Sequence, residues 1–178
     1  MTAPASAAEP RASTDDDEEV LALVRGAFQH ARAGDAAALA ALVDAGVPVD
    51  LRNEKGDTLL MLAAYHGHAE AVRALLQRGA SVDRPNDRRQ TPLAGAAFKG
   101  DVAMVGLLLE GGASVDGHGG DGRTALMFAA MFDHEGVVEL LLARGASRDQ
   151  ADEGGVTALA LARSMGAQRA AARLARQG

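Results

Sequence analysis

The stretch "DGHGGDG" at residues 116–122 contains glycines at the spacing G-x-G-x-x-G. That spacing lets a backbone approach the pyrophosphate of a dinucleotide, so Gly117–Gly122 is a candidate nucleotide site. Such a site requires a buried strand before the glycines and a helix that opens at the third glycine. The preceding residues, "VGLLLEGGASVD", indicate the end of a helix and then a turn. Nucleotide binding is therefore the least favoured function.

Two histidines, His66 and His68, form a His-x-His pair that could ligate a metal. The chain has no cysteine, and no nearby set of carboxylates completes a metal site. No serine lies in the G-x-S-x-G pattern of a nucleophile elbow. We expect no catalytic residue, no metal and no cofactor, and hence a protein that is not an enzyme.

The overall charge disfavours two classes of partner. A net charge of −6 over 178 residues opposes non-specific binding to nucleic acid or to anionic membranes. The first twenty residues contain no apolar segment typical of a signal peptide, and no stretch is apolar enough to span a membrane. We expect a cytoplasmic protein, and the abundant Ala, Gly and Arg suggest a bacterial, GC-rich source.

A 33-residue period organises the chain and explains the spacing of many residues. Threonines recur at 58, 91, 124 and 157, and Gly-Ala pairs recur at 79, 112 and 145. Within one period, two short apolar runs with helical spacing are separated by Gly67. Thr58 is a suitable N-cap for the first run, and Gly79 can end the second. Each period therefore predicts two helices and a projecting finger, which must stack on neighbouring units to form a core.

Two stretches carry a family resemblance. Residues 56–64, "GDTLLMLAA", and residues 90–97, "QTPLAGAA", resemble the G-x-T-P-L-H-x-A-A signature of ankyrin repeats. The signature proline survives only as Pro92, and other residues replace the signature histidine. The resemblance implies an all-α ankyrin-repeat solenoid of about five helix-turn-helix units with projecting β-turn fingers. Such a protein is expected to be a small, non-catalytic monomer that binds another protein.

The period also sets the expected domain organisation. Residues 1–13 are expected to be a disordered N-terminal tail, and residues 14–178 to form one ankyrin repeat domain. The units are expected at about 14–52, 53–85, 86–118, 119–151 and 152–178. Glycine ends the first helix of most units, but unit four has Asp133 at that position. We therefore predict a positive φ at Asp133, because aspartate tolerates the left-handed conformation better than most residues.

The resemblance also indicates where a partner would bind. Two positions near the end of each first helix face the groove of ankyrin repeats, and the finger positions also contact partners. In this sequence the groove positions are Tyr65, His66, Phe98, Lys99, Met131 and Phe132, and the finger positions are Lys55, Asp57, Arg88, Gln90, Asp121 and Arg123. Exposed aromatic patches commonly mark interfaces. The alternative is that these side chains pack on the neighbouring finger and stiffen the array.

Two questions of function stay open at this point. The chain could be a general interaction scaffold, or it could be a dedicated regulatory, inhibitory or assembly subunit of one enzyme. The glycine-rich finger at 117–121 could give space to a partner or could move more than the finger at 84–89. Lower hydrogen-exchange protection at 117–121 than at 84–88 would favour the mobile alternative.

Overall fold

The computed structural model describes the backbone of residues 14–176 and the side chains of residues 18–176. The described part contains ten helices and no strand, arranged as five successive helix pairs. They are α1 (Thr14–Ala33), α2 (Ala36–Asp44), α3 (Leu59–Tyr65), α4 (Ala69–Gln77), α5 (Pro92–Lys99), α6 (Val102–Glu110), α7 (Ala125–Met131), α8 (Glu135–Ala143), α9 (Ala158–Ser164) and α10 (Gln168–Ala175). The expected all-α solenoid is thereby confirmed. The expected disordered tail at 1–13 lies outside the described residues.

The periodic threonines begin the first helix of each later pair. The hydroxyl of Thr58 accepts a hydrogen bond from Met61 N at 3.1 Å and so caps α3. Thr91 and Thr157 cap α5 and α9 in the same way, whereas Thr124 precedes α7 without a side-chain cap. The predicted N-cap at Thr58 is therefore confirmed.

The helix pairs form two layers around an aliphatic core. The first helices, α1, α3, α5, α7 and α9, pack side by side as an inner row, and α2, α4, α6, α8 and α10 form an outer row. Alanines recur in the inner row, as at Ala63 and Ala96, and let neighbouring helices approach closely. Fully buried leucines such as Leu60, Leu93 and Leu126 fill the space between the rows.

One set of hydrogen bonds joins consecutive units close to the bases of the fingers. Asp50 accepts a hydrogen bond from Ser81 N at 2.8 Å, and Asp116 accepts one from Ser147 N at 3.0 Å. Asp83 and Ser114 make the same contact between the units that lie in the middle. The periodic aspartates therefore connect each unit to its successor.

Four loops project from the array as fingers: the first (residues 52–57), second (84–90), third (117–123) and fourth (151–156). In the first finger the side chain of Asn53 accepts hydrogen bonds from two backbone N–H groups, each at 2.9 Å. Asn86 and Asp152 close the second and fourth fingers in the same way. The third finger has Gly119 at this position and is closed differently.

Asp133 adopts the predicted left-handed conformation, with φ of 56°. Its carboxylate accepts hydrogen bonds from Ala170 N at 2.8 Å and from Arg169 Nε at 3.0 Å. The residue therefore binds the first turn of α10, in the next unit. The Ala170 N–H group, followed by the Arg169 guanidinium, holds the pKa of Asp133 below its ordinary value.

Acid is expected to weaken the contact between the last unit and its neighbour. Because the pKa of Asp133 is lowered by folding, this carboxylate stabilises the folded chain above the ordinary aspartate pKa, near pH 4. The contribution is lost as pH falls through the lowered value. The difference in free energy of unfolding between the wild type and Asp133→Asn should therefore be largest near pH 7 and shrink below about pH 4. Urea titrations at several pH values measure it. A difference that is constant with pH would contradict this role.

Candidate functional site

The predicted groove positions lie together on the inner helices. The Phe98 and Phe132 rings meet edge to face, with their centroids 4.7 Å apart. Lys99 Nζ lies 5.1 Å from the centroid of the Tyr65 ring, within the range of a cation–π contact. His66 meets Tyr65 edge to face at 5.6 Å. The side chains therefore form two clusters. One contains Tyr65, His66 and Lys99, the other contains Phe98 and Phe132, and each cluster joins two consecutive units.

These clusters remain accessible to solvent. Tyr65 is 42% exposed and Phe132 is 43% exposed, although both are large and apolar. Phe98 and Met131 are half-buried, and His66 and Lys99 are exposed. Mutual packing of Phe98 and Phe132 connects two consecutive units, although the alternative expected these side chains to pack on the neighbouring finger. It nevertheless leaves apolar surface uncovered, which ordinary core packing does not explain.

A cavity of about 280 Å³ joins the groove to the fingers. Tyr65 and Phe98 line it from α3 and α5, and Lys55, Arg88 and Gln90 line it from the first and second fingers. Neither Lys55 nor Arg88 makes a side-chain ion pair with another of the described residues 18–176. Their cationic groups therefore remain available beside an apolar floor.

Asp57 has a structural position and offers little surface to a partner. It is only 8% exposed, and its Oδ1 accepts a hydrogen bond from Asn86 Nδ2 at 2.8 Å. Its Oδ2 is 3.3 Å from Asn53 Nδ2. The expectation that Asp57 contacts a partner through an exposed finger is corrected by this burial, because the side chain connects the first finger to the second.

The last two predicted finger residues are partly engaged within the chain. Asp121 accepts a hydrogen bond from Arg123 N at 3.0 Å. Arg123 Nε lies 3.6 Å from Asp152 Oδ2, in the fourth finger. The backbone N–H groups of Val156 and Gly154, followed by the Arg123 side chain, lower the pKa of Asp152, and burial opposes them in part. These residues lie away from the cavity between α3 and α5.

Met165 extends the groove, and the sequence interpretation missed it. This side chain is 56% exposed directly after α9. It lies 33 residues after Phe132 and therefore occupies the same position in the last unit. The period alone was a sufficient signal for this position.

A second and larger cavity, of about 630 Å³, lies beside the first finger. The helix α1 continues well before the position where later inner helices start, so it occupies the place that a preceding finger would take. Leu21, Val24 and Phe28 line the cavity from this helix, and Leu62 lines it from α3. Phe28 is itself buried, with 7% of its surface exposed. Leu21 and Val24 were not foreseen as site residues.

The glycine-rich third finger is not built as a phosphate cradle. The expected helix before it is present as α6. The N–H groups of Gly120 and Gly122 point at His118 Nδ1, at 3.2 and 3.3 Å, instead of at open solvent. Gly119 packs against the backbone of Arg89. His118 thus replaces the asparagine or aspartate of the other fingers and makes longer hydrogen bonds, which favours the alternative that this finger moves more than the finger at 84–89.

The remaining histidines have structural contacts. His68 Nε2 lies 2.7 Å from the Arg32 carbonyl oxygen, and His134 Nε2 lies 3.0 Å from the Phe98 carbonyl oxygen. His68 and His134 therefore each connect two consecutive units. Within the described side chains, no group of three His, Asp or Glu residues is placed to hold a metal ion. None of the helices in residues 14–176 has the length and apolarity needed to cross a membrane.

Stacked helix pairs with projecting fingers and an open apolar groove define a helical repeat protein that presents an extended surface. A family model of ankyrin repeats, in three copies, matches residues 27–118 and 93–178. The chain belongs to the ankyrin repeat family. It is also similar to a curated ankyrin repeat protein of Pseudomonas aeruginosa, with 54% identity over 52 residues, or 29% of this chain. That match spans 30% of the relative's length, and it agrees with a bacterial source.

Ankyrin repeats generally mediate interactions between proteins, and the family is typically non-catalytic. The family assignment therefore agrees with the expectation of a protein partner. It does not indicate which groove residues contact the partner.

Proposed function

We propose that this chain is a non-catalytic interaction protein that binds a partner protein through its groove and fingertips. The observation that carries this proposal is the cavity between α3 and α5, which groove and finger residues line together. Its aromatic floor includes Tyr65, which remains exposed although burial would stabilise it. Phe132 and Met165 continue the same exposed row toward the last unit.

The binding residues in this proposal are Tyr65, His66, Phe98, Lys99, Phe132 and Met165 in the groove, with Lys55, Arg88 and Gln90 on the fingers. Met131 is half-buried and supports the row from within α7. Asp121 and Arg123 extend the surface toward the fourth finger. Aromatic side chains at such a position supply most of the binding energy of an interface, and the surrounding polar groups supply specificity.

Loss of the aromatic anchors should abolish capture of the partner. We would use the full chain as bait in a lysate of the source cell and compare it with the double variant Tyr65→Ala, Phe132→Ala. Loss of each anchor is expected to weaken binding by about tenfold or more, because hot-spot truncations typically cost about 2 kcal/mol. Val102→Ala is the matched control, since Val102 is an exposed apolar residue at the start of the outer helix α6.

The outcome separates the proposal from its structural alternative. Circular dichroism of each variant first shows whether the fold is retained. A partner captured equally by the wild type, the double variant and the control would contradict binding through the groove. A partner lost only with the double variant supports it.

A further inference from the structure

The groove has a charge that differs from that of the whole chain. The net charge is −6, yet from Val20 onward the five inner helices contain no aspartate or glutamate. They carry Arg25, Arg32, Lys99 and Arg163. The outer helices, by contrast, contain acidic residues such as Glu70 and Glu139. The groove floor is therefore a local cationic surface on an acidic protein.

The two cavities repeat this combination of apolar and cationic groups. Arg25, Arg32, Arg52 and Lys55 surround the cavity beside α1, and Lys55 and Arg88 surround the cavity between α3 and α5. The acidic groups on these walls are Glu54 and Asp57, and the amides of Asn53 and Asn86 already bind Asp57. Arg52 is paired with Asp87 at 2.8 Å. An excess of positive charge therefore remains beside both apolar floors.

The position of the cavities constrains the spacing of a ligand. They lie on opposite sides of the first finger, one against α1 and one between α3 and α5. Packed helices are about 8–10 Å apart, so the cavities are separated by about 10 Å. Side chains three residues apart in a polyproline II segment, or seven apart in a helix, span that distance at about 3.1 and 1.5 Å per residue.

We propose that the groove binds an acidic segment of the partner protein whose two apolar side chains enter these two cavities. Carboxylates of the segment contact Lys55 and Arg88, and its apolar side chains cover Leu21, Val24, Tyr65 and Phe98. Glu18 and Glu19, near the start of α1, repel the same charges and so direct them toward Lys55 and Arg88. This inference rests on the proposed function and specifies the chemistry of the partner.

Selection from a random peptide library tests the inference without knowledge of the partner. The immobilised full chain would be offered peptides of about 15 residues, which when extended span about 50 Å, roughly the length of five stacked units. Enriched peptides are expected to be net negative, with two apolar residues three or seven positions apart. Enrichment of neutral or basic peptides would overturn the proposal.

Affinity measurements on an enriched peptide then locate the charge recognition. Fluorescence anisotropy should show a loss of about tenfold or more for the double variant Lys55→Gln, Arg88→Gln, and a weaker affinity at higher salt. The matched control, Arg73→Gln with Arg144→Gln, removes the same charge from the outer helix α4 and from the residue that follows the outer helix α8. It should change the affinity by less than about twofold. An equal loss in both double variants would overturn site-specific recognition.

Two further arms distinguish the failure of this inference from the failure of the proposed function. In the first, Tyr65→Ala weakens binding of the peptide, whereas Lys55→Gln and Arg88→Gln do not change its affinity. This result would retain the groove as the binding site and would overturn its preference for an acidic segment. A peptide indifferent to all of these variants overturns the inference, and capture from the lysate then decides the proposed function alone. If the chain bound a single-stranded oligothymidylate more tightly than any peptide, the proposal that its ligand is a protein would be overturned.

Discussion

Replacing Asp57 by alanine is expected to lower the free energy of unfolding by about 3 kcal/mol, the largest effect anticipated for a finger residue. The side chain is buried and accepts hydrogen bonds from Asn86 and Asn53 in two different fingers. Without it, the buried Nδ2 of Asn86 has lost its acceptor, and an unsatisfied buried donor costs about 1–3 kcal/mol. Asn86 cannot turn away easily, because its Oδ1 accepts hydrogen bonds from Arg88 N and Gln90 N.

Urea titration followed by circular dichroism measures this change. Glu54→Ala is the matched control, because it removes the same charge from an exposed position on the same finger. We expect that control to change the free energy of unfolding by less than about 0.5 kcal/mol. Equal effects of the two substitutions would show that burial of Asp57 has no energetic consequence. The assignment of this residue to the fold, instead of to partner binding, would then be wrong.

Replacing Gly119 by alanine is expected to cost about 2–3 kcal/mol. A Cβ atom at this position would overlap the carbonyl group of Arg89, in the second finger. Backbone atoms cannot rotate out of the way as a side chain can, so the two fingers would have to separate. Arg89 is itself held at φ of 60°, which restricts its freedom to adjust.

The same chemical change elsewhere supplies the control. Gly26 lies within α1, and a Cβ atom there would meet no atom within 4 Å. Gly26→Ala is expected to stabilise the chain by up to about 1 kcal/mol, since alanine is the better helix former. Thermal unfolding of both variants tests the difference. If Gly119→Ala proved as stable as the wild type, the close contact between the second and third fingers would not exist in solution.

Periodicity made most of the fold predictable. The spacing of threonines and glycines gave the helix starts and stops, because each unit must repeat the same backbone to stack on its neighbours. It also predicted the positive φ at Asp133, where the other units mostly have glycine. The carboxylate contacts of Asp133 with α10 were not predictable in this way, because most other units have glycine at this position and so lack a side chain that could make them.

The site was predicted less completely, for physical reasons that particular residues illustrate. Asp57 was expected on the surface because its burial depends on Asn86, 29 residues away in the next finger. The close contact of Gly119 was not foreseen because its neighbour, the Arg89 backbone, belongs to another unit. The cavity beside α1 depends on a helix that continues where other units have a finger. Only contacts between units reveal such features.

The joint between the second and third fingers gives the array an elastic property. The first and second fingers share hydrogen bonds, as do the third and fourth, through Asp87 N to Lys55 O and Glu153 N to Asp121 O. Among the described residues, no hydrogen bond joins the second finger to the third, although Asp83 and Ser114 bind close to the bases of these two fingers. Bending is therefore expected to be easiest at this joint, with the contact between Asp83 and Ser114 as the pivot. Since the Phe98 and Phe132 rings meet across this joint, the width of the groove between them is the dimension that a bound ligand could adjust at least cost.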